Sequence, residues 1–68
     1  MASLQQSFTA RLRQLRAERK MSQEALAEKA GISRVYLARM ELGLHEPTLS
    51  MLEKLAKALK VTVGKLVE

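Results

Sequence analysis

Two arginines with a chemistry that suits nucleic acid, Arg34 and Arg39, stand five positions apart in the middle of the chain. A guanidinium group can donate two hydrogen bonds at once, for example to O6 and N7 of guanine. The alternative for either arginine is a contact to phosphate or to solvent alone. Val35 is apolar and can contact a thymine methyl group, or it can be partly buried. These three residues are the candidates for reading base edges.

The segment that must position them, residues 22–43, has the start and stop residues of two short helices. Ser22 can cap the first helix, and strong helix formers follow it as far as Gly31, which suits a left-handed helix end. Ser33 can cap the second helix, which is predicted to run to about residue 42 before Gly43 stops it. The pattern predicts two helices joined by a tight turn.

The spacing of small and apolar residues in this segment is typical of a helix-turn-helix at about residues 23–42. Ala27 is small where the second helix must cross the first, Gly31 occupies the turn, and Leu37 anchors the second helix. One short helix then lies on a scaffold, and the next keeps an exposed face. That exposed face is predicted to carry Arg34, Val35, Ala38 and Arg39.

The segment MSQEALAEKAGISRVYLARMELG resembles the DNA-binding core of the Cro/C1-type (XRE-like) phage-repressor family, and the resemblance extends over about Phe8 to Leu66. Within it, SRVYLARME is most similar to the controller proteins of restriction–modification systems, which usually carry a polar residue where this chain has Val35. The resemblance implies a phage-repressor-like domain. It also implies a transcriptional regulator that binds double-stranded DNA, as a homodimer on a palindromic operator.

The resemblance assigns roles to three further residues. In the resembling family, the aromatic residue that matches Tyr36 lies at the DNA face and reaches the DNA backbone or a central base step; the alternative is a ring packed over the edge of the first helix. In the resembling repressors, the positions of Arg16 and Glu41 pair across two helices. That pairing implies a structural ion pair, against the alternative of two independent surface charges.

Phosphate contacts are predicted at helix N-termini and in the loop after the second motif helix. Gln23 begins a helix and can hold a phosphate, although a solvated glutamine is the alternative. Ser33 is first a cap, with phosphate contact possible as well. Gly43 and Leu44 are expected to offer exposed backbone N–H groups, and His45 is expected to be a surface residue.

The rest of the chain predicts three more helices, and therefore a single all-α domain over residues 1–68 built as a five-helix orthogonal bundle. The first helix should start at Ser3 or Ser7 and end at Lys20. The fourth should follow Thr48 and end near Lys60, and a short fifth should follow Thr62. The predicted core consists of Phe8, Leu12, Leu15, Leu26, Ala27, Ile32, Leu37, Met40, Leu52, Leu55 and Leu59.

Apolar residues near the C-terminus are predicted to form a dimer interface: Met51, Val63, Leu66 and Val67. A helix this short is unstable alone, so these side chains need a partner to cover them. The alternative is that the fifth helix only caps the core of the monomer.

The net charge of +5 and the pI near 10.1 fit a polyanionic partner, although lysines and arginines also keep a small domain soluble. Residues 1–20 carry five Lys or Arg and one Glu, whereas residues 41–68 carry four Lys and four Glu. The chain has no cysteine, which fits a reducing cytoplasm and excludes disulfides and thiolate zinc sites. Neither a signal peptide nor an apolar run long enough for a bilayer is predicted.

No catalytic pattern is present, so neither an enzyme nor a cofactor is expected. Ser33 lacks a nearby histidine and nucleophile-elbow glycines, the carboxylates are scattered, and no glycine-rich phosphate loop exists. The expected partners are double-stranded DNA, a second copy and, for an activator, RNA polymerase; no membrane and no small-molecule effector are expected. The alternatives are the antitoxin of a toxin–antitoxin pair and a protein-interaction module on the same fold.

Overall fold

The computed structural model describes residues 4–67, with side chains from residue 8 onward. This part of the chain forms five helices and no strand: α1 (Leu4–Glu18), α2 (Gln23–Ala30), α3 (Arg34–Glu41), α4 (Leu49–Leu59) and α5 (Val63–Val67). The predicted all-α, five-helix fold is confirmed. The proposed cap Ser3 lies outside the described residues.

Hydroxyl side chains start the later helices, as the sequence predicted. Ser22, Ser33 and Thr48 have extended backbone, and each side-chain oxygen accepts a hydrogen bond from the N–H group three residues on. Thr62 accepts in the same way from the N–H of Lys65, at 3.1 Å. Each cap satisfies one of the donors that a helix N-terminus leaves without an intrahelical partner. Four of the five helix starts are therefore set by local sequence.

Left-handed residues close α1, α2 and α4. Gly31 has φ +73°, and a Cβ there would meet no atom within 4 Å, so glycine is favoured by its backbone conformation rather than by space. Lys20 (φ 53°) and Lys60 (φ 59°) take the same conformation without being glycine. Because Lys20 leaves the helical region, α1 ends two residues earlier than the predicted Lys20.

An apolar residue follows each of these left-handed positions and bonds back into the helix that has just ended. The N–H groups of Met21, Ile32 and Val61 donate to Arg16 O, Ala27 O and Ala56 O at 3.1, 3.0 and 2.9 Å. All three side chains pack against the core. The chain therefore reverses direction at each turn while its backbone carbonyls stay hydrogen-bonded.

The core is formed by residues from all five helices: Phe8, Leu12, Leu15, Leu26, Ala27, Ala30, Leu37, Met40, Leu55, Ala56, Ala58, Leu59 and Leu66. Two predicted core residues, Ile32 and Leu52, are only partly buried and pack against its edge. Ile32 lies in the turn between α2 and α3, and Leu52 lies in the first turn of α4. The core assignment is otherwise confirmed.

Arg19 connects α1 to α4 in a way that the sequence did not indicate. Its Nε donates to the backbone oxygen of Leu59 at 2.7 Å, and its Nη1 donates to the oxygen of Leu15 at 3.4 Å. A cation at a helix C-terminus interacts favourably with the helix dipole as well as with the free carbonyl. The last turn of α4 is thus held from another helix.

Candidate nucleic-acid interface

Helix α3 is fixed to the domain by its inner face. Leu37 and Met40 have no exposed surface, and Glu41 is only 3% exposed. In a helix of about 3.6 residues per turn, Leu37 and Glu41 lie one above the other, with Met40 beside them. The opposite face of α3 is consequently held outward and is free to meet a ligand.

The carboxylate of Glu41 is the centre of a hydrogen-bond network that joins three helices. Arg16 on α1 donates from Nε to Oε2 at 2.7 Å and from Nη2 to Oε1 at 3.0 Å. Gln23 on α2 donates from Nε2 to Oε1 at 3.0 Å. Arg16 also donates from Nη1 to the backbone oxygen of Met21 at 3.0 Å. Every described buried side-chain nitrogen or oxygen has a partner, so this charge is buried without an unsatisfied group.

The Arg16–Glu41 pair predicted from the sequence is present in bidentate geometry, which is the strong form of this contact. The hydrogen bond to Glu41 raises the pKa of Arg16, burial lowers it, and the Glu41 charge raises it again, with a net upward direction. The participation of Gln23 was not foreseen, because the resemblance implied a pair of residues 16 and 41 alone.

The outer face of α3 carries the candidate base-reading residues. Val35 and Arg39 are four residues apart and lie on the same exposed stripe; Val35 is 55% exposed. Arg34 is also exposed and lies at the start of the helix, in line with the half-buried Ala38. The exposed side of α3 therefore presents two guanidinium groups, that of Arg39 on the stripe and that of Arg34 beside it, together with the aliphatic side chain of Val35.

Gln23 and Ser33, the predicted phosphate contacts at helix N-termini, already use part of their hydrogen-bonding capacity inside the protein. The Oγ of Ser33 accepts from the N–H of Tyr36 at 2.9 Å, so this hydroxyl is a cap. One amide hydrogen of Gln23 is used by Glu41, while its Nε2 carries a second hydrogen. The first N–H groups of α2 and α3 have no intrahelical acceptor and point out of the N-terminus. Phosphate contact at Gln23 and Ser33 stays a prediction.

The loop after α3 requires a correction. The N–H of Gly43 donates to Met40 O at 3.1 Å, and the N–H of Leu44 donates to Arg39 O at 2.9 Å. With Gly43 at φ +76°, these two bonds close the C-terminus of α3 as a Schellman motif. The expected free N–H groups of Gly43 and Leu44 are therefore already used inside the protein.

His45 has a contact that the sequence did not reveal. Its imidazole stacks on the ring of Tyr36, with centroids 5.2 Å apart and planes inclined by 10°. Both residues are half-buried, and Tyr36 also packs against the core. The Tyr36 ring thus meets the loop after α3. DNA contact by the Tyr36 hydroxyl stays a prediction.

The predicted dimer residues divide into two groups. Leu66 has no exposed surface in the monomer, because α5 places it in the core. Its assignment to a dimer interface is thereby corrected: a side chain without accessible surface cannot contact a partner. Met51, Val63 and Val67 are half-buried and pack against the edge of the core. Only these three retain surface for a second copy.

Within the part of the chain that the structure describes, no group of three or more histidine, cysteine, aspartate or glutamate side chains converges as metal ligands would. None of the five helices has the length and apolar character needed to cross a bilayer. The outer face of α3 is the candidate site because of its exposed arginines.

Comparison with known proteins matches residues 12–66 to the Helix-turn-helix family. The immunity repressor protein of Bacillus phage phi105 is 47% identical over 57 residues, covering 84% of this chain and 40% of that protein. The transcriptional regulator SinR of Bacillus subtilis is 39% identical, covering 85% of this chain and 53% of its own length. The chain thus spans about half, or less, of these relatives.

A solved structure agrees with the sequence matches over nearly its full length. The restriction–modification controller protein C.AhdI from Aeromonas hydrophila superposes with a TM-score of 0.86 at 38% identity, covering 88% of this chain and 91% of that one. The expected resemblance to Cro/C1-type repressors and to controller proteins is therefore confirmed. On this evidence the chain belongs to the Helix-turn-helix family.

Proposed function

We propose that this protein is a transcriptional regulator that binds specific sequences in double-stranded DNA by inserting α3 into the major groove. The observation that carries the proposal is the two-sided character of α3. Its inner face is fixed by Leu37, Met40 and the Glu41 network, and its outer face presents Arg34, Val35 and Arg39. A rigidly held helix with exposed arginines is what base-edge reading requires. The net charge of +5 favours association with a polyanion.

Base and phosphate contacts are expected to come from different parts of the motif. Arg34 and Arg39 donate to guanine, and Val35 contacts a thymine methyl group. Gln23 at the start of α2 and Ser33, the cap of α3, bind phosphates and set the register of the recognition helix on the duplex. The chain acts in the compartment that holds DNA, the cytoplasm, without enzymatic chemistry and without a cofactor.

Arg34→Ala is expected to weaken binding by about 1–3 kcal/mol and to relax sequence preference at one base pair. The operator is first identified by selection from a random DNA pool, and affinities are then measured on that duplex and on single-base variants. Lys54→Ala removes an equal charge from the exposed side of α4 and is the matched control. If Arg34→Ala and Lys54→Ala bind with the same sequence preference as the unmodified protein, Arg34 does not read a base.

A homodimer on a palindromic operator is proposed because one recognition helix reads too few base pairs to define a unique site. Two copies about a two-fold axis place their α3 helices about 34 Å apart, one turn of B-DNA. Met51, Val63 and Val67 supply the apolar surface for the contact, in the half of the chain where positive and negative charges balance. Two copies therefore approach there without strong repulsion.

Val67→Asp is expected to convert the dimer to a monomer and to weaken operator binding strongly, because it places a charge in the proposed interface. Sedimentation velocity measures the oligomeric state, and circular dichroism checks that the helices persist. Gly64→Asp adds the same charge to the same short helix at an exposed position, where a Cβ has only ordinary contact with Thr62 Oγ1 at 3.8 Å. A dimer that survives Val67→Asp would place the interface elsewhere.

Regulation is proposed to follow from the concentration of the protein itself, through dimerisation and filling of the operator. Repression is the default outcome, and activation would require contact with RNA polymerase from an upstream site. A controller role in a restriction–modification system is the specific form favoured here. The alternative of an antitoxin predicts a gene for a small toxin next to this one, in place of an endonuclease gene.

A protein-interaction module is favoured by one observation. Leu42, Leu44 and Leu49 lie near one another in sequence and are 70%, 67% and 65% exposed. Exposed apolar groups at such positions suit a protein partner. Mobility-shift assays at several salt concentrations separate the two functions, since phosphate contacts make affinity fall steeply with salt. An affinity that does not change with salt concentration, or no binding to any duplex, would support the protein-interaction module.

A further inference from the structure

We propose that His45 is a DNA-phosphate-binding residue, held at the edge of the interface by its stack on Tyr36, and that its protonation strengthens operator binding. The proposal rests on the proposed function of α3. It assigns the contribution of the loop after α3 to a side chain, in place of the backbone N–H groups of Gly43 and Leu44, which are used to close the helix.

The position of His45 follows from the arrangement of side chains around α3. Val35 and Arg39 form the outer stripe, and Met40 lies on the buried side. Tyr36 lies one helical turn from Met40 and is half-buried, so it occupies the flank between the inner and outer faces. His45 stacks on that ring at 5.2 Å and therefore belongs to the same flank.

The dimensions of DNA then determine what this flank meets. An α-helix with its side chains is about 10–12 Å across, and the major groove is about 12 Å wide. A helix seated with its outer stripe toward the base edges fills the groove. Its flanks consequently face the phosphate ridges on either side, and His45 lies on one of these flanks.

The chemistry of imidazole makes this contact depend on pH. Neutral imidazole has one donor nitrogen, whereas the protonated ring has two donors and a positive charge. A phosphate only accepts, so it binds the protonated form more strongly, and a cationic ring is also favoured against the face of Tyr36. Histidine charges within the range of about pH 5–8. Because bound DNA favours the protonated form, affinity must rise as the pH falls through this range.

Charged residues flank His45 on both sides in the sequence. Arg39 lies one turn along α3 from Tyr36, Glu46 is next in the loop, and Glu53 is the first charged residue of α4. Glu41 is turned inward onto Arg16 and Gln23. His45 is the single histidine of the chain, so imidazole signals in an NMR spectrum belong to it alone.

The test measures affinity for the duplex recovered by selection from a random DNA pool, at about pH 5.5 and about pH 8. The unmodified protein is expected to bind about 5- to 10-fold more tightly at the lower pH. Its salt dependence should also steepen by about 0.9 in log–log slope, the value for one added phosphate contact. His45→Gln should lose both differences. The N-terminal amine also changes charge in this pH range, but its effect is the same in the unmodified protein and in His45→Gln.

Two variants of Tyr36 test the positioning step. Tyr36→Phe keeps the ring and should keep the ratio of affinities at the two pH values. Tyr36→Ala removes the stack and should reduce that ratio toward one. Circular dichroism at both pH values verifies that each variant is folded. The NMR signals of the His45 imidazole should shift when the duplex is added, and more at about pH 5.5 than at about pH 8, which a purely structural role would not produce.

The outcomes separate this inference from the proposed function. Recovery of no duplex at either pH would overturn both. Recovery of a duplex that binds equally well at the two pH values would overturn only the role of His45. The same holds for a pH response that His45→Gln retains, and for imidazole NMR signals that do not change when the duplex is added.

Discussion

Leu37→Ala is expected to lower the free energy of unfolding by about 2–5 kcal/mol, as for other fully buried leucines. Leu37 has no exposed surface and lies on the inner face of α3, where it joins the recognition helix to the core. Domains of this size have total stabilities of about 3–10 kcal/mol, so the loss is a large fraction of the whole. Urea denaturation followed by circular dichroism measures it.

Val35→Ala is the matched control for this substitution. It shortens an aliphatic side chain on the same helix, but at a position that is 55% exposed. Its effect on stability should stay within about 0.5 kcal/mol, as at other surface sites. If Leu37→Ala and the unmodified protein unfold at the same urea concentration, α3 is not anchored through this leucine.

Arg16→Ala is expected to destabilise the domain by about 3–5 kcal/mol, because it leaves the carboxylate of Glu41 buried with Gln23 as its remaining partner. Glu41→Ala is expected to cost less, about 1–3 kcal/mol. The side chain of Arg16 is 22% exposed and keeps its bond to Met21 O, so water and the backbone compensate part of the loss. This asymmetry distinguishes a buried network from a surface pair.

The double variant should lose less than the sum of the two single losses, with a coupling of about 0.5–3 kcal/mol. Arg13→Ala removes a neighbouring, exposed arginine of α1 and should leave stability nearly unchanged. Denaturation midpoints of the four proteins complete the cycle. Strict additivity of the two single changes would mean that the charges do not interact in solution.

Local chemistry made most of the fold predictable. Ser22, Ser33, Thr48 and Thr62 each satisfy a backbone donor within one turn, so the sequence alone determines where these helices begin. Gly31 marks the place where the chain reverses direction after α2, because glycine adopts left-handed backbone without a steric cost from its neighbours. The helical spacing of Leu26, Leu37 and Leu55 likewise identified buried faces without knowledge of their neighbours.

The end of α1 was predicted two residues too late, because Lys20 acts against its usual backbone preference, whereas the predicted end of α4 near Lys60 agrees with the structure. Lys20 and Lys60 adopt left-handed backbone that lysine rarely takes, because packing of the apolar residue that follows compensates the strain. The sequence correctly predicted that α3 ends before Gly43. Whether the N–H groups of Gly43 and Leu44 bond to α3 or stay available to a ligand depends on how the loop folds back onto the helix. Sequence patterns indicate that a helix ends and leave open which donors remain for a ligand.

The sequence by itself determined the helix-turn-helix, its exposed arginines and the family that they indicate. The tertiary structure decided the contacts between residues far apart in the chain: Gln23 with Glu41, Arg19 with the end of α4, and His45 with Tyr36. It also placed Leu66 in the core. Hydrogen bonds within a turn are fixed by neighbouring residues, whereas these contacts depend on which helix faces meet, and only packing of the whole chain sets that.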